Sequence, residues 1–125
     1  MNVLGHGIDV EEIERVEHSV NKWGVAFTKL VFTPAEIKSA QGESSSRRLA
    51  SRFAAKEAIV KAFGESFENG IPWTDIEISN EASGQPKVQL TGQMLELQRE
   101  RQVDHVLVSL SYTGSLAFAS AMIVK

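Results

Sequence analysis

The feature that most constrains this fold is a long helical segment in the middle of the chain, Ser46 to Phe63. On a helical wheel, apolar residues surround this segment on nearly every side. A helix that is apolar all round is normally enclosed by the rest of its domain. We therefore expect this segment to be the central core element, with Gly64 placed to end it.

The flanking segments predict both strands and helices. Short apolar or alternating runs predict strands at 3–10, 74–79, 87–90, 105–112 and 116–124, and helical spacing predicts helices at 11–20, 23–32, 33–40 and 91–101. Thr33, Pro34 and Glu36 form a typical helix start. Because helices come first and hairpin-linked strands later, we expect one α+β domain over residues 1–125, a largely antiparallel sheet with a long central helix.

Composition and charge exclude several classes of function. The chain has no cysteine, which rules out disulfides and thiolate metal sites. Its formal net charge of −3 argues against a nucleic-acid partner. The first residues do not resemble a secretory signal, and the apolar runs are too short to cross a bilayer. We therefore expect a cytoplasmic protein with no membrane partner.

Glu57 and Lys61 lie one helical turn apart in an apolar sector of the central helix. One interpretation is an ordinary ion pair between positions i and i+4. The other is a buried site in which Glu57 binds a cation and Lys61 meets an anion, since buried charges need partners.

Asp9 also has two interpretations. It stands where the first strand gives way to a helix, with Glu12 three residues on, as in a capping box. Alternatively, it is a carboxylate at a strand end that is free to bind a metal. Asp9 and Glu57 together would suit Mg²⁺, which favours one or two protein carboxylates plus water and phosphate oxygens. The sequence alone does not place the two residues side by side.

Two segments carry a family resemblance. Gly7-Ile8-Asp9 followed by Arg15, and Arg52 to Ala58 followed by Lys61 to Gly64, resemble the signature segments of the holo-acyl-carrier-protein synthases. The similarity runs from about Val3 to Val124. Later matching parts are Asn69-Gly70-Ile71, Ile76-Glu77-Ile78, Ser83-Gly84-Gln85-Pro86 and Val106 to Ser111.

The resemblance implies a 4′-phosphopantetheinyl transferase fold and a Mg²⁺-dependent transfer of 4′-phosphopantetheine from coenzyme A to a serine of an acyl carrier protein, in fatty acid biosynthesis. It implies a homotrimer with active sites shared between subunits. Asp9 and Glu57 would bind the metal, Lys61 would stabilise charge, and Arg15, on the first helix and pointing away from the metal, would contact the carrier. The residues implied for coenzyme A are Arg52, Phe53, Lys61, Gly64, Ser83, Gly84, Pro86 and Tyr112.

Some roles stay open. Many family members have histidine where this chain has Tyr112, so the role of that histidine does not carry over, although a tyrosine hydroxyl can bond a phosphate. The base that takes the serine proton is Glu57 or a metal-bound water. Further basic residues that could face an acidic carrier are Lys22, Lys29, Arg47 and Arg48. The three histidines, His6, His18 and His105, lack zinc-like spacing, and we interpret them as structural or solvated.

Two other functions compete with this interpretation. The first is a transferase for polyketide or peptide synthetases, which the short chain argues against. The second is a catalytically idle module that binds coenzyme A or a carrier, which the intact Asp9, Glu57 and Lys61 set argues against.

Overall fold

The computed structural model describes every residue from Met1 to Lys125. The chain folds as α+β, as expected, with five strands and five α-helices. The elements are β1 (Val3–Glu12), α1 (Ile13–Trp23), α2 (Val25–Val31), α3 (Pro34–Ser39), α4 (Ser45–Ala62), β2 (Ile76–Asn80), β3 (Pro86–Leu90), α5 (Gly92–Glu100), β4 (His105–Thr113) and β5 (Leu116–Val124), with 3₁₀ turns at Phe67–Asn69 and Trp73–Asp75. None of the helices combines the length and apolar character needed to cross a membrane.

The strands form two antiparallel units. The larger is a three-stranded sheet in the order β1-β5-β4, and the smaller is the β2-β3 hairpin. In the larger sheet Asp9 lies opposite Ala119, and Leu110 lies opposite Ala119 from the other side. β1 and β4 are therefore the two edges of this sheet, and β5 separates them.

Helix α4 packs across the inner face of the sheet, as the apolar segment predicted. Ten of its residues are buried, and they form much of the main core. The helix lies very close to β1 because that strand carries glycine where they meet. A Cβ on Gly7 would lie 2.0 Å from the Ala58 carbonyl oxygen, and one on Gly5 would lie 1.9 Å from that of Ala62. These glycines set how near β1 can come to α4.

Helix ends follow the sequence signals in two places. Thr33 Oγ1 accepts a hydrogen bond from the Glu36 backbone N–H at 3.3 Å, and Glu36 Oε1 accepts one from the Thr33 N–H at 2.9 Å, a complete capping box. Gly64 follows α4 with φ of +71°, a left-handed conformation that suits glycine.

The boundary between β1 and α1 differs from the expectation. The strand continues to Glu12, so Asp9 lies within it and does not begin a helix. The capping-box prediction is wrong, because Glu12 at the N-cap of α1 makes no side-chain capping bond. Pairing with β5 over the whole length of β1 satisfies the backbone there, and this tertiary pairing outweighs the local capping signal.

Candidate active site

Asp9 and Lys61, which lie far apart in sequence, meet where β1 passes over the last turn of α4. The Lys61 ammonium donates to Asp9 Oδ1 at 3.0 Å and to the Ile8 carbonyl oxygen at 3.2 Å. The Lys61 side chain is 50% exposed and the Asp9 side chain 11%. A carboxylate with little access to water thus faces a lysine that is still open to a ligand.

Glu57 lies one turn before Lys61 on the same helix and faces the same strand. No Glu57–Lys61 ion pair forms, so that interpretation is wrong, and the partner of Lys61 is Asp9. Burial raises the pKa of Glu57, the negative charge of Asp9 raises it further, and Lys61 opposes the rise. The structure therefore brings Asp9, Glu57 and Lys61 into one electrostatic cluster.

Glu11 also belongs to this cluster, and the sequence interpretation missed it. Burial raises its pKa to about 8, with added contributions from hydrogen bonding to Asp9 and from the charges of Asp9 and Glu57, while Arg15 lowers it. The signal was present in the sequence, because Glu11 lies two residues after Asp9 and strand side chains two apart share a face. Arg15 also lies nearer the cluster than the sequence predicted, since its positive charge lowers the pKa of Glu11.

The residues present fit a magnesium ion. Asp9 Oδ2 is buried and has no hydrogen-bond partner. A proton shared between Glu11 and Asp9, or a bound cation, would give this oxygen the partner that it lacks and offset its negative charge. No group of three or more side chains is arranged to hold a metal alone. An ion here needs further oxygens from water or a ligand, as Mg²⁺ typically does.

A second group of predicted residues lines a groove of about 570 Å³ between α4, the β2-β3 hairpin and β4. Of the residues expected to bind coenzyme A, the lining includes Arg52, Gly84, Pro86 and Tyr112. Two further arginines, Arg47 and Arg48, also face it, and the Arg47 guanidinium lies 4.2 Å from the centre of the Tyr112 ring.

The Arg52 guanidinium is largely used within the protein. It donates to the Ile78 carbonyl oxygen at 3.4 Å, the Arg48 carbonyl oxygen at 3.3 Å and Ser39 Oγ at 3.0 Å. Arg52 is 8% exposed, whereas Arg48 is exposed. Arg47 and Arg48 therefore present the more available positive charge in this groove.

Besides Lys61, three of the residues predicted to bind coenzyme A lie outside the groove lining. Ser83 is exposed in the hairpin turn, where its hydroxyl accepts from the Gln85 N–H at 3.4 Å. Phe53 packs on Trp73 with ring centres 4.8 Å apart. Gly64 lies beside the charged cluster, its N–H donating to the Lys61 carbonyl oxygen at 2.9 Å. The residues expected to bind one cofactor are therefore divided between the β1 edge and the β4 edge of the sheet.

Comparison with known proteins gives consistent results over nearly the whole chain. The sequence profile described as the 4′-phosphopantetheinyl transferase superfamily matches residues 5–119. A holo-acyl-carrier-protein synthase of Syntrophus aciditrophicus is 42% identical over 118 residues, covering 94% of this chain and 92% of that one.

Solved structures agree with the sequence comparison. The crystal structure of holo-acyl-carrier-protein synthase from Neisseria meningitidis is similar at a TM-score of 0.91 and 28% identity, covering 99% of this chain and 100% of that one. The Helicobacter pylori synthase in complex with coenzyme A is similar at a TM-score of 0.85 and 26% identity, covering 95% and 99%.

Proposed function

Because the chain belongs to the 4′-phosphopantetheinyl transferase superfamily, we propose that it moves 4′-phosphopantetheine from coenzyme A to a serine of an acyl carrier protein, the activity of the holo-acyl-carrier-protein synthases. One observation carries the proposal. Asp9 from the first signature segment and Lys61 from the second are joined at 3.0 Å, with Glu57 beside them. Two carboxylates and a lysine at one place suit a diphosphate with its metal.

In this reaction the serine oxygen attacks the β-phosphorus of coenzyme A. The bond from that phosphorus to the bridging oxygen breaks, and adenosine 3′,5′-bisphosphate leaves with the electron pair. A magnesium ion, when bound, would polarise the diphosphate and offset the charge that develops on it. Asp9 and Glu57 would hold that ion.

Lys61 and Glu57 have separate parts in the chemistry. Lys61, half-exposed and anchored on Asp9, would donate to the diphosphate oxygens and stabilise negative charge as the bond breaks. Burial raises the pKa of Glu57, but a carboxylate that holds a cation is a weaker base than a free one, so this shift does not identify the base. The candidates to accept the serine proton are Glu57 and a water on the ion.

The groove beside β4 would receive the nucleotide end of coenzyme A. Arg47 and Arg48 supply positive charge there, Tyr112 supplies a ring and a hydroxyl, and the Gly84–Pro86 turn forms one wall. Arginines suit phosphate groups because the guanidinium donates several hydrogen bonds at fixed angles.

The same proposal includes a homotrimer with shared active sites. The charged cluster lies at the β1 edge and the groove at the β4 edge of one subunit, with β5 between them. The sheet face turned away from α4 carries exposed apolar side chains, with Ile8 59%, Val10 48% and Leu107 49% exposed. Covering this outer sheet face with other copies would bury apolar surface and could bring the cluster of one subunit to the groove of the next.

The carrier would dock on α1 and α2. Arg15, Lys22 and Lys29 are exposed there, and the exposed apolar side chains among them are Trp23, Val25 and Leu30. Acyl carrier proteins are acidic, so basic residues around an apolar centre are complementary to them. Because its proposed substrates are coenzyme A and an acyl carrier protein, we place the protein in the cytoplasm and in fatty acid biosynthesis.

Mass spectrometry of a purified apo-acyl carrier protein tests this function directly. After incubation with the protein, coenzyme A and Mg²⁺, the carrier should gain the mass of one 4′-phosphopantetheine, and a chelator should prevent the gain. A carrier in which the acceptor serine is alanine is the control. Binding of coenzyme A without any mass gain would instead support the idle binding module, and transfer only to synthetase carrier domains would support the other transferase class.

A further inference from the structure

Lys56 and Glu36 form an ion pair that is fully enclosed by the protein. Both side chains are 0% exposed, and Lys56 Nζ lies 2.7 Å from Glu36 Oε1. The ammonium also donates to the Val31 carbonyl oxygen at 2.7 Å and to the Trp73 carbonyl oxygen at 3.2 Å. All three of its protons therefore have acceptors.

Glu36 extends the network to two further backbone groups. Its Oε1 accepts from the Thr33 N–H at 2.9 Å, and its Oε2 accepts from the Ile78 N–H at 2.8 Å. Through this one pair, α4 is tied to the end of α2, the start of α3, strand β2 and the 3₁₀ turn at Trp73.

Stability alone is a weak explanation for such a pair. Burial lowers the pKa of Lys56, and the charge of Glu36 only partly offsets that effect. Well-packed apolar residues in place of a buried ion pair are often neutral or stabilising. What the pair supplies beyond apolar packing is direction, since each hydrogen bond fixes the position of one backbone group.

The tied elements carry the proposed carrier-docking surface on one side. α2 ends at Val31, whose carbonyl oxygen is held by Lys56. Helix α2 bears Val25, Lys29 and Leu30, and it packs against α1, which bears Arg15.

The elements that the Lys56–Glu36 pair joins also extend toward the charged cluster, through Trp73. Trp73, held through its carbonyl oxygen, stacks on Phe67 with ring centres 3.7 Å apart and packs on Phe53. Phe53 lies one turn before Glu57 on α4, and Glu68, next to Phe67, has a charge that acts on Glu57.

We propose that Lys56 and Glu36 are a positioning pair for the transfer reaction. The pair sets the orientation of α2 and α3 on α4, and so sets where the carrier serine arrives relative to Asp9, Glu57 and Lys61. Neither residue touches the reacting groups. The inference rests on the proposed function, because it assigns the carrier to α1 and α2.

If the pair positions the carrier, replacing Lys56 and Glu36 should lower transfer to the carrier more than it weakens binding of coenzyme A. The Asp9–Lys61 contact lies between β1 and α4, whose close approach Gly5 and Gly7 allow, and neither residue of the pair bonds to β1. The docking surface depends on α2, which the pair holds. A displacement of about 1 Å between reacting groups can cost roughly a hundredfold in rate.

The test uses the neutral double variant Lys56→Met/Glu36→Gln, in which no buried charge is left unpaired. We expect a folded protein whose kcat/KM for the carrier falls at least about tenfold and whose affinity for coenzyme A with Mg²⁺ falls much less, because the pair bonds only one residue of the groove, Ile78. Calorimetry measures the binding, and mass spectrometry of the carrier measures the rate. Lys87→Met, an exposed change on β3, is the control and should leave both unchanged.

Three outcomes overturn the inference. An unchanged kcat/KM in the folded double variant shows that the pair does not position the carrier, and a parallel loss of coenzyme A binding shows that it only supports the fold. Absence of transfer by the wild type contradicts the proposed function as well. If the double variant does not fold, Glu36→Asp keeps both charges of the buried pair but shortens the carboxylate, and it should show a smaller but selective loss of carrier kcat/KM.

Discussion

At the scale of single residues, the site is a balance of charges at the crossing of β1 and α4. Asp9, Glu11 and Glu57 supply three carboxylates, and Lys61 and Arg15 supply the nearby positive charge. Without a metal the carboxylates repel one another, so this region favours binding either a proton or a cation.

Glu11→Gln should alter how stability depends on pH. The pKa of Glu11 is raised from 4.5 to about 8, so between these values the folded protein binds a proton that the unfolded chain has lost. Wild type should therefore lose stability relative to the variant as pH rises from 4.5 to 8, and the difference should be constant above that range. Thermal melting of both proteins in chelator from pH 5 to 9 measures it.

Added Mg²⁺ supplies the control for this experiment. A cation takes the place of the proton, so the gap between wild type and Glu11→Gln at pH 8 should shrink when Mg²⁺ saturates the site. Parallel melting curves for the two proteins at all pH values would show that Glu11 does not interact with the cluster as described.

Arg15→Ala should weaken use of the carrier more than use of coenzyme A. Arg15 is exposed on α1, and its attraction to an acidic carrier is screened over about 8 Å at physiological salt. We expect a raised KM for the carrier at low salt and a smaller difference from wild type at high salt. Arg99→Ala, on exposed α5, is the matched control. Equal rises in both KM values would place Arg15 in the coenzyme A site or in the fold.

At the scale of elements, close contact between β1 and α4 creates the site. A Cβ on Gly7 would come within 2.0 Å of a backbone carbonyl oxygen of α4, which cannot move aside as a side chain would. The sequence predicted α4 and the capped start of α3, because their signals are local. It did not predict the end of β1, which depends on pairing with β5, or the enclosed Lys56–Glu36 pair, because a helical wheel does not show what packs on each face.

Gly7→Ala should separate β1 from α4 and impair transfer. The added methyl group overpacks the interface, which typically costs about 1–3 kcal/mol, and the separation moves Asp9 away from Glu57 and Lys61. We expect a lower melting temperature and at least about tenfold slower transfer in the protein that remains folded. Val3→Ala, on the same strand and 58% exposed, is the control. Wild-type transfer by Gly7→Ala would show that this contact does not set the site.

At the scale of the whole molecule, one chain carries the charged cluster and the groove, the two halves of the proposed site, on opposite edges of its sheet. The family resemblance implied residues in both places, but only the fold shows that β5 lies between them. A single sequence does not encode how copies of the chain meet, so assembly is the part of the account that depends most on experiment.

Mixing two inactive variants tests the shared site. Asp9→Asn damages the charged cluster and Arg48→Ala the groove, so random trimers of the two should contain about a quarter of sites with both halves intact. We expect the mixture, after dissociation and reassembly, to transfer faster than the mean of the separate variants. Activity equal to that mean, or full activity of a monomer in dilute solution, would contradict a site shared between subunits.

The central claim is that Asp9 and Glu57 hold a metal for phosphopantetheinyl transfer. The most direct measurement compares wild type, Asp9→Asn and Glu57→Gln by mass spectrometry of the carrier across a Mg²⁺ titration, with the exposed Glu100→Gln on α5 as control. The account predicts that both site variants fold, lose most of their transfer activity, and need more Mg²⁺ for what remains, whereas the control behaves as wild type. Transfer at the wild-type rate and Mg²⁺ dependence by either site variant would contradict it.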